Sequence, residues 1–159
     1  MFRRFDLKTE MILATLPTAM IIAVLLLLKA FSKQELLFAS LASSAFLIYL
    51  DPKNPTNSVR TLLIAQTSAA IIGYLIYRLA GPGYIPAALS MIAIVLLMIF
   101  TKAMHPPAVA SALNFAFQRT KPDTLSLFLF ALLLVVILIV LQRASMWIIK
   151  RKEKIKPAA

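Results

Sequence analysis

Thr101-Lys102-Ala103-Met104-His105-Pro106-Pro107-Ala108-Val109-Ala110-Ser111-Ala112-Leu113-Asn114 lies between two long apolar runs and holds the only histidine of the chain. A lysine stands three residues before that histidine and two prolines follow it. Proline is costly inside a helix but suits its first position, so a new helix is expected from Pro107 to about Phe117. That helix is too short to cross a bilayer alone. A cation, an imidazole and a fresh helix start near membrane depth are expensive to place, and such groups mark a candidate functional site.

Working outward, the flanking runs set the class. The chain has 159 residues, 61% of them hydrophobic, with a mean hydropathy of +0.88. Several runs have the length that crosses a hydrocarbon core about 30 Å thick. The sequence therefore reads as an all-α, polytopic helical membrane protein. It has about four full spans plus two short or re-entrant helices, or six crossings if the short ones span. One transmembrane domain is expected over residues 1–159. The net charge of +11 is scattered between the spans, which suits a topology signal and anionic lipid and does not suit nucleic acid. There is no cysteine, so disulfides and thiolate metal sites are excluded.

The expected spans are Met11–Leu28, kinked at Pro17, then Thr61–Ala80, Tyr84–Phe100 (ending near Met104) and Leu125–Leu141, the last continuing as far as Ile149. The first meets Lys29 and no small-residue cleavage site, so it reads as a retained helix and not as a signal peptide. Leu36–Leu50 is short for a crossing and carries Ser40, Ser43 and Ser44. Asp51 to Ser58 is a turn by composition, with Asn57 or Ser58 able to cap the next helix. Arg60 then falls in a helical first turn, where a cation opposes the macrodipole and calls for a partner: Asp51, a lipid phosphate or a bound anion. Gly81-Pro82-Gly83 breaks the chain again. Gln118, Arg119, Lys121, Pro122 and Asp123 close the short second helix, and Trp147 is an interfacial anchor.

The two halves share one order: long apolar run, short Ala/Ser-rich segment, Pro-containing turn, long apolar run. This is an internal two-fold repeat of three helical segments each, about 11–80 and about 84–149, followed by a basic tail 150–159. Ala42-Ser43 echoes Ala110-Ser111 at an offset of about 67–68 residues. Paired short segments of this kind point to a transporter's binding site. Either crossing scheme puts both termini on one side. Arg3, Arg4, Lys8 and the tail assign that side to the cytoplasm of a cell (inner) membrane.

A small inorganic anion fits the constellation best. Helix starts after Pro107 and Ser58 offer backbone donors. His105, Arg60 and Lys102 add charge, and Ser43, Ser44, Ser111 and Asn114 replace hydration. Pro106 and Pro107 form the structural motif. His105 also has an ordinary reading, as a hydrogen-bonded structural residue. No metal, cofactor or enzymatic role is indicated, because no second histidine and no paired carboxylates accompany it. A chain this small, with serine and alanine faces, is expected to form a homo-oligomer.

At these residues the sequence resembles the HPP family of small integral membrane proteins. Thr101 to Leu113 resembles the family's basic residue, His-Pro-Pro and small-residue run. Ala42-Ser43-Ser44-Ala45 resembles its Gly-Ala-Ser-Ala segment, and Asn54-Pro55 with Ser58-Val59-Arg60-Thr61 resembles a further one. Gly73 falls where the family has glycine. The resemblance implies four transmembrane helices and a nitrite or similar small-anion transporter. It carries over to Arg60, His105, Pro106 and Pro107. Gln66 stands where relatives usually have histidine, and Val59 replaces a proline. The competing expectation is a non-transporting membrane subunit or scaffold, in which the same polar groups are sealed by mutual hydrogen bonds.

Overall fold

The structure is a computed structural model that describes residues 11, 12, 15, 18, 19, 22, 35–117 and 124–155. The six described positions before residue 35 are helical and exposed. The rest of the expected first span, the joint that follows it, the connector 118–123 and the last four residues lie outside the described set.

Five helices follow: α1 (Glu35–Leu50), α2 (Val59–Ala80), α3 (Tyr84–Thr101), α4 (Pro107–Ala116) and α5 (Thr124–Ile155). No strand occurs among the described residues. Three of the helices, over Val59–Ala80, Tyr84–Thr101 and Leu125–Arg151, are long and apolar enough to cross a membrane, and two shorter apolar helices accompany them. This is an integral membrane protein.

Each helix boundary has a local cause. A one-turn 3-10 helix, Pro55–Asn57, fills the link between α1 and α2. Asn57 donates its side-chain amide to the carbonyls of Leu47 and Asp51, both at 2.8 Å, and so closes the end of α1. Ser58 caps α2, its hydroxyl accepting from Thr61 N–H. Gly81 and Gly83 take φ of 73° and 148°, which only glycine adopts without strain. Lys102 is the single non-glycine residue at positive φ among those described, at 52°. It ends α3 at Thr101, one residue past the expected span Tyr84–Phe100 and three short of the expected limit near Met104, because a left-handed residue cannot continue the helix. Ala103 N–H then bonds Met98 O and His105 N–H points at Met98 Sδ, 3.4 Å away. The chain thus doubles back, and His105 starts α4 level with the last turn of α3. The final helix runs beyond the expected Ile149 to Ile155, since no proline interrupts it before Pro157. At 32 residues it is about 48 Å long, well over a hydrocarbon core.

Helix directions follow from the contacts. Gly83 N–H bonds Ala116 O, so α3 and α4 are antiparallel neighbours. Ser40 meets Pro107 and Ser111 while Ser44 meets His105, so α1 and α4 also run antiparallel. Gln142 reaches Pro52 O at one end of the bundle, and Tyr74 stacks on Phe128 nearer the other. Therefore α5 opposes α2.

Lipid supplies no hydrophobic drive for helices to associate, so close approach matters most. The buried stripe of α2 is Leu62, Ala65, Gln66, Ala69, Ala70 and Gly73. At Gly73 an added Cβ would sit 2.6 Å from Ala112 O and 2.7 Å from Phe115 Cδ2. That contact sets the spacing of α2 and α4, the role that a glycine at this position suggests.

Gly73→Ala should therefore destabilise the purified protein by about 1–3 kcal/mol. Thermal unfolding followed by circular dichroism in detergent tests this, with the lipid-facing Ile92→Ala, 57% exposed in the native chain, expected to change little.

Candidate functional site

Five of the polar residues buried within the bundle, Ser40, Ser44, Gln66, His105 and Ser111, meet in one layer. In α1, Leu37, Ser40, Leu41, Ser44, Ala45 and Ile48 are buried, a stripe at helical spacing that aims two serines inward. Ser44 Oγ lies 2.9 Å from His105 Nε2. Ser40 Oγ lies 2.8 Å from Pro107 O and 2.8 Å from Ser111 Oγ. The side chain of Gln66 joins them. Its amide nitrogen is 3.3 Å from both Ser40 Oγ and Ser44 Oγ, and Oε1 accepts from Ser111 Oγ at 2.7 Å. On the other side of the imidazole, His105 Nδ1 is 3.1 Å from Thr56 O.

The tautomer follows. A carbonyl can only accept, so Nδ1 carries hydrogen. Nε2 of the neutral ring then accepts from Ser44, which in turn accepts from Gln66. His105 and Ser44 have no exposed surface. Three buried side-chain oxygens lack a partner among the described residues, namely those of Asn57, Ser90 and Ser145, and none belongs to this layer.

Of the residues singled out from the sequence, His105, Ser44 and Ser111 come together here. Asn114 is also buried, three residues further along α4. The others lie elsewhere. Ser43 is exposed on the outer face of α1, one helical step of about 100° away from Ser44. Lys102 is exposed, as a snorkelling side chain would be. Arg60 is exposed too, its guanidinium 3.3 Å from Thr101 O. The negative end of α3 is therefore what offsets a cation at the start of α2.

The helix starts also differ from expectation. Pro106 and Pro107 have no N–H, Ala108 N–H bonds His105 O, and Val109 N–H bonds Pro106 O. At α2, Thr61 and Leu62 donate to Ser58. Most of the donors expected to face an anion are thus taken up within the chain.

Two members of the layer were not singled out as site residues, Ser40 and Gln66. Ser40 stands four residues before Ser44, on the same helical face, and Gln66 is polar in mid-span. Both signals are in the sequence, but they gain meaning only beside α4. No group of three or more histidine, cysteine or carboxylate side chains that could hold a metal occurs among the described residues.

Residues 4–154 match the HPP transmembrane region. The chain belongs to the HPP family. It is 32% identical over 87 residues to a transmembrane protein of Dictyostelium discoideum. That match takes in 52% of this chain and 30% of the relative, so the chain spans less than a third of the relative's length. No solved structure matches. In this HPP protein the His-Pro-Pro turn and the Ala/Ser-rich segments that carried the resemblance are the two sides of the buried layer.

Ser44→Ala leaves His105 Nε2 unpaired and should cost about 1–3 kcal/mol. Ser43→Ala, one residue away but outside the layer, should be nearly neutral. Denaturant unfolding of the two variants in mixed micelles separates them.

Proposed function

We propose that this HPP protein transports or channels a small inorganic anion, with nitrite the named candidate, along the boundary between its two short helices. The observation that carries the reading is the meeting of α1 and α4 at His105, Ser40, Ser44 and Ser111. Two helices of 16 and 10 residues cover about 24 and 15 Å. Where they overlap in the bundle, the chain concentrates its buried hydroxyl, amide and imidazole groups. Short helices that meet at polar residues are the arrangement expected of a transporter's binding site. In this conformation the layer is closed, and an anion passes only when α1 and α4 part. Opening frees the serine hydroxyls for the ligand. Arg60 and Lys102 then act as surface charges that gather anions at the His105 end.

Charge supports an orientation. Lys53, Arg60, Lys102, Arg143, Lys150 and Arg151 stand at or beyond the His105 end of the bundle, and Arg78 at the other. The His105 end is accordingly the cytoplasmic side of the cell membrane, with both termini on it. The antiparallel pairing of α1 with α4 and of α2 with α5 suits an inverted repeat with six crossings. The outer face of α1, with Ala39, Ala42 and Ser43 exposed, suits contact with a second copy.

One observation favours a second reading, a non-transporting membrane subunit. The side chains of Ser40, Ser44, Gln66, His105 and Ser111 each find hydrogen-bond partners inside the protein, as a purely structural polar core requires.

Uptake into proteoliposomes decides between the two. With nitrite, nitrate, chloride and formate compared, the intact protein should show nitrite-selective flux. His105→Ala should lower it by about tenfold or more, the effect of losing one hydrogen bond worth about 1.4 kcal/mol. Arg60→Ala should lower it less, and more at low salt than at high. Absence of flux for every anion, with the protein folded and inserted, favours the subunit reading.

A further inference from the structure

The buried layer is one hydrogen short. Ser40 and Ser111 own two hydroxyl hydrogens between them, yet they make three contacts that each need one. Ser40 Oγ to Pro107 O (2.8 Å) requires the hydrogen of Ser40. Ser111 Oγ to Gln66 Oε1 (2.7 Å) requires that of Ser111. Ser40 Oγ to Ser111 Oγ (2.8 Å) requires a further one that neither has left. Both hydrogens of the Gln66 amide are already directed at Ser40 and Ser44. One oxygen pair at hydrogen-bond distance is thus bare at any moment, in a place no more than 4% exposed.

Turning the Gln66 amide over removes the shortage. The oxygen and nitrogen of a side-chain amide occupy nearly equal space, so the reversal displaces no neighbour. Gln66 Nε2 then donates to Ser111, Ser111 to Ser40, and Ser40 to Pro107 O. The change leaves Gln66 Oε1 facing Ser44 with no hydrogen to accept, because Ser44 gives its own to His105 Nε2. A single added proton completes the chain. It binds the lone pair of Nε2. Nε2–H then donates to Ser44 Oγ, the Ser44 hydroxyl swings to Gln66 Oε1, and Nδ1–H stays on Thr56 O.

We propose that this layer is a proton-binding site, in which uptake of a proton at His105 Nε2 is accompanied by reversal of the Gln66 amide. The ligand is the proton itself. At the ring's end of the bundle the titratable or charged residues are Tyr49 late in α1, Asp51 and Lys53 in the link to α2, Arg60 at the start of α2, Lys102 after α3, and Arg143, Lys150 and Arg151 on α5, while Glu35, Tyr74, Tyr77, Arg78 and Tyr84 lie toward the other end. The described part of α4 has none. No carboxylate lies among the hydrogen-bond partners of the ring. The imidazolium is therefore stabilised by oriented neutral dipoles, with Gln66 as the positioning residue that turns to make them. The site deepens the transport reading by naming the ion that travels with, or against, the anion. A neutral layer that gains one positive charge can accept one negative one.

The single histidine makes the test direct. The protein is prepared in lipid nanodiscs with a histidine-free affinity tag, with 15N-labelled histidine and glutamine, and followed by NMR across pH 4–8. The neutral state should show hydrogen on Nδ1 alone. Lowering the pH should yield the imidazolium, with the Gln66 side-chain amide signal moving at the same midpoint. Gln66→Met keeps the volume but offers only a weak sulfur acceptor, and should lower the midpoint by about one pH unit or more. Gln66→Glu can only accept once ionised, and should raise it. If only one variant folds, the direction of its shift decides. A ring that stays neutral wherever the fold persists would overturn the site. So would a Gln66 amide that ignores the His105 titration, or one midpoint shared by the wild type and both variants. These readouts need no flux. Loss of the transport reading would leave the proton site standing, and an unresponsive Gln66 would leave the transport reading standing.

Discussion

The two nitrogens of one imidazole tie α1 to the link that follows it at one end of the bundle. His105 Nδ1 donates to Thr56 O in the link between α1 and α2, and Nε2 meets Ser44 on α1. Its backbone N–H rests on Met98 of α3, and its own chain turns into α4 two residues later. A single residue therefore ties four elements together, two of them through its ring. The constraint behind this is that irregular backbone inside a membrane is tolerated only where protein satisfies it. A chain that ends α3 and starts α4 within the packed bundle needs a partner for every buried polar group of that turn. His105, Ser44, Thr56 and Met98 supply them.

Small side chains bring these partners within reach. Gly73 lets α2 close onto Ala112 and Phe115. Ala65, Ala69, Ala108 and Ala112 keep the neighbouring surfaces equally near. That proximity carries Gln66 across to both Ser40 and Ser111. Hydrogen bonds between membrane helices are worth about 0.6 kcal/mol each on average. The handful that closes the layer comes to about 3 kcal/mol, which leaves the parted state populated at roughly 1% or less. On the proposed transport reading, a gate of that depth would stay shut at rest and open for a ligand that replaces the lost bonds.

Much of this architecture is legible in the sequence, because the strongest signals are local. Gly81-Pro82-Gly83 and Asp51 to Ser58 break helices by their own backbone preferences. Pro107 starts α4 because proline tolerates little else. The ends of α1, α2 and α4 fall within two residues of expectation. The end of α3 falls between the two expected limits, Phe100 and Met104, and nothing in a lysine announces the left-handed conformation that fixes it. The site was harder to read. Ser43 and Ser44 are adjacent and chemically identical. In a helix as evenly apolar as α1, no periodicity tells which of them faces inward. The partner of Arg60 is the end of a helix 41 residues away, and Gln66 becomes a hub only through Ser40, 26 residues back, and Ser111, 45 residues on. Such long-range pairings have no local signature.

The claim at the centre is that the layer between α1 and α4 must part for an anion to pass. The absence of native cysteine allows a clean test, a double variant Ser40→Cys, Ser111→Cys whose side chains replace hydroxyls 2.8 Å apart. Nitrite flux into proteoliposomes is measured before oxidation, after it, and again after reduction. Flux that is lost when the disulfide forms and returns when it is reduced is the predicted result. Undiminished flux through the fully oxidised protein would contradict it, and would move the path away from the two short helices.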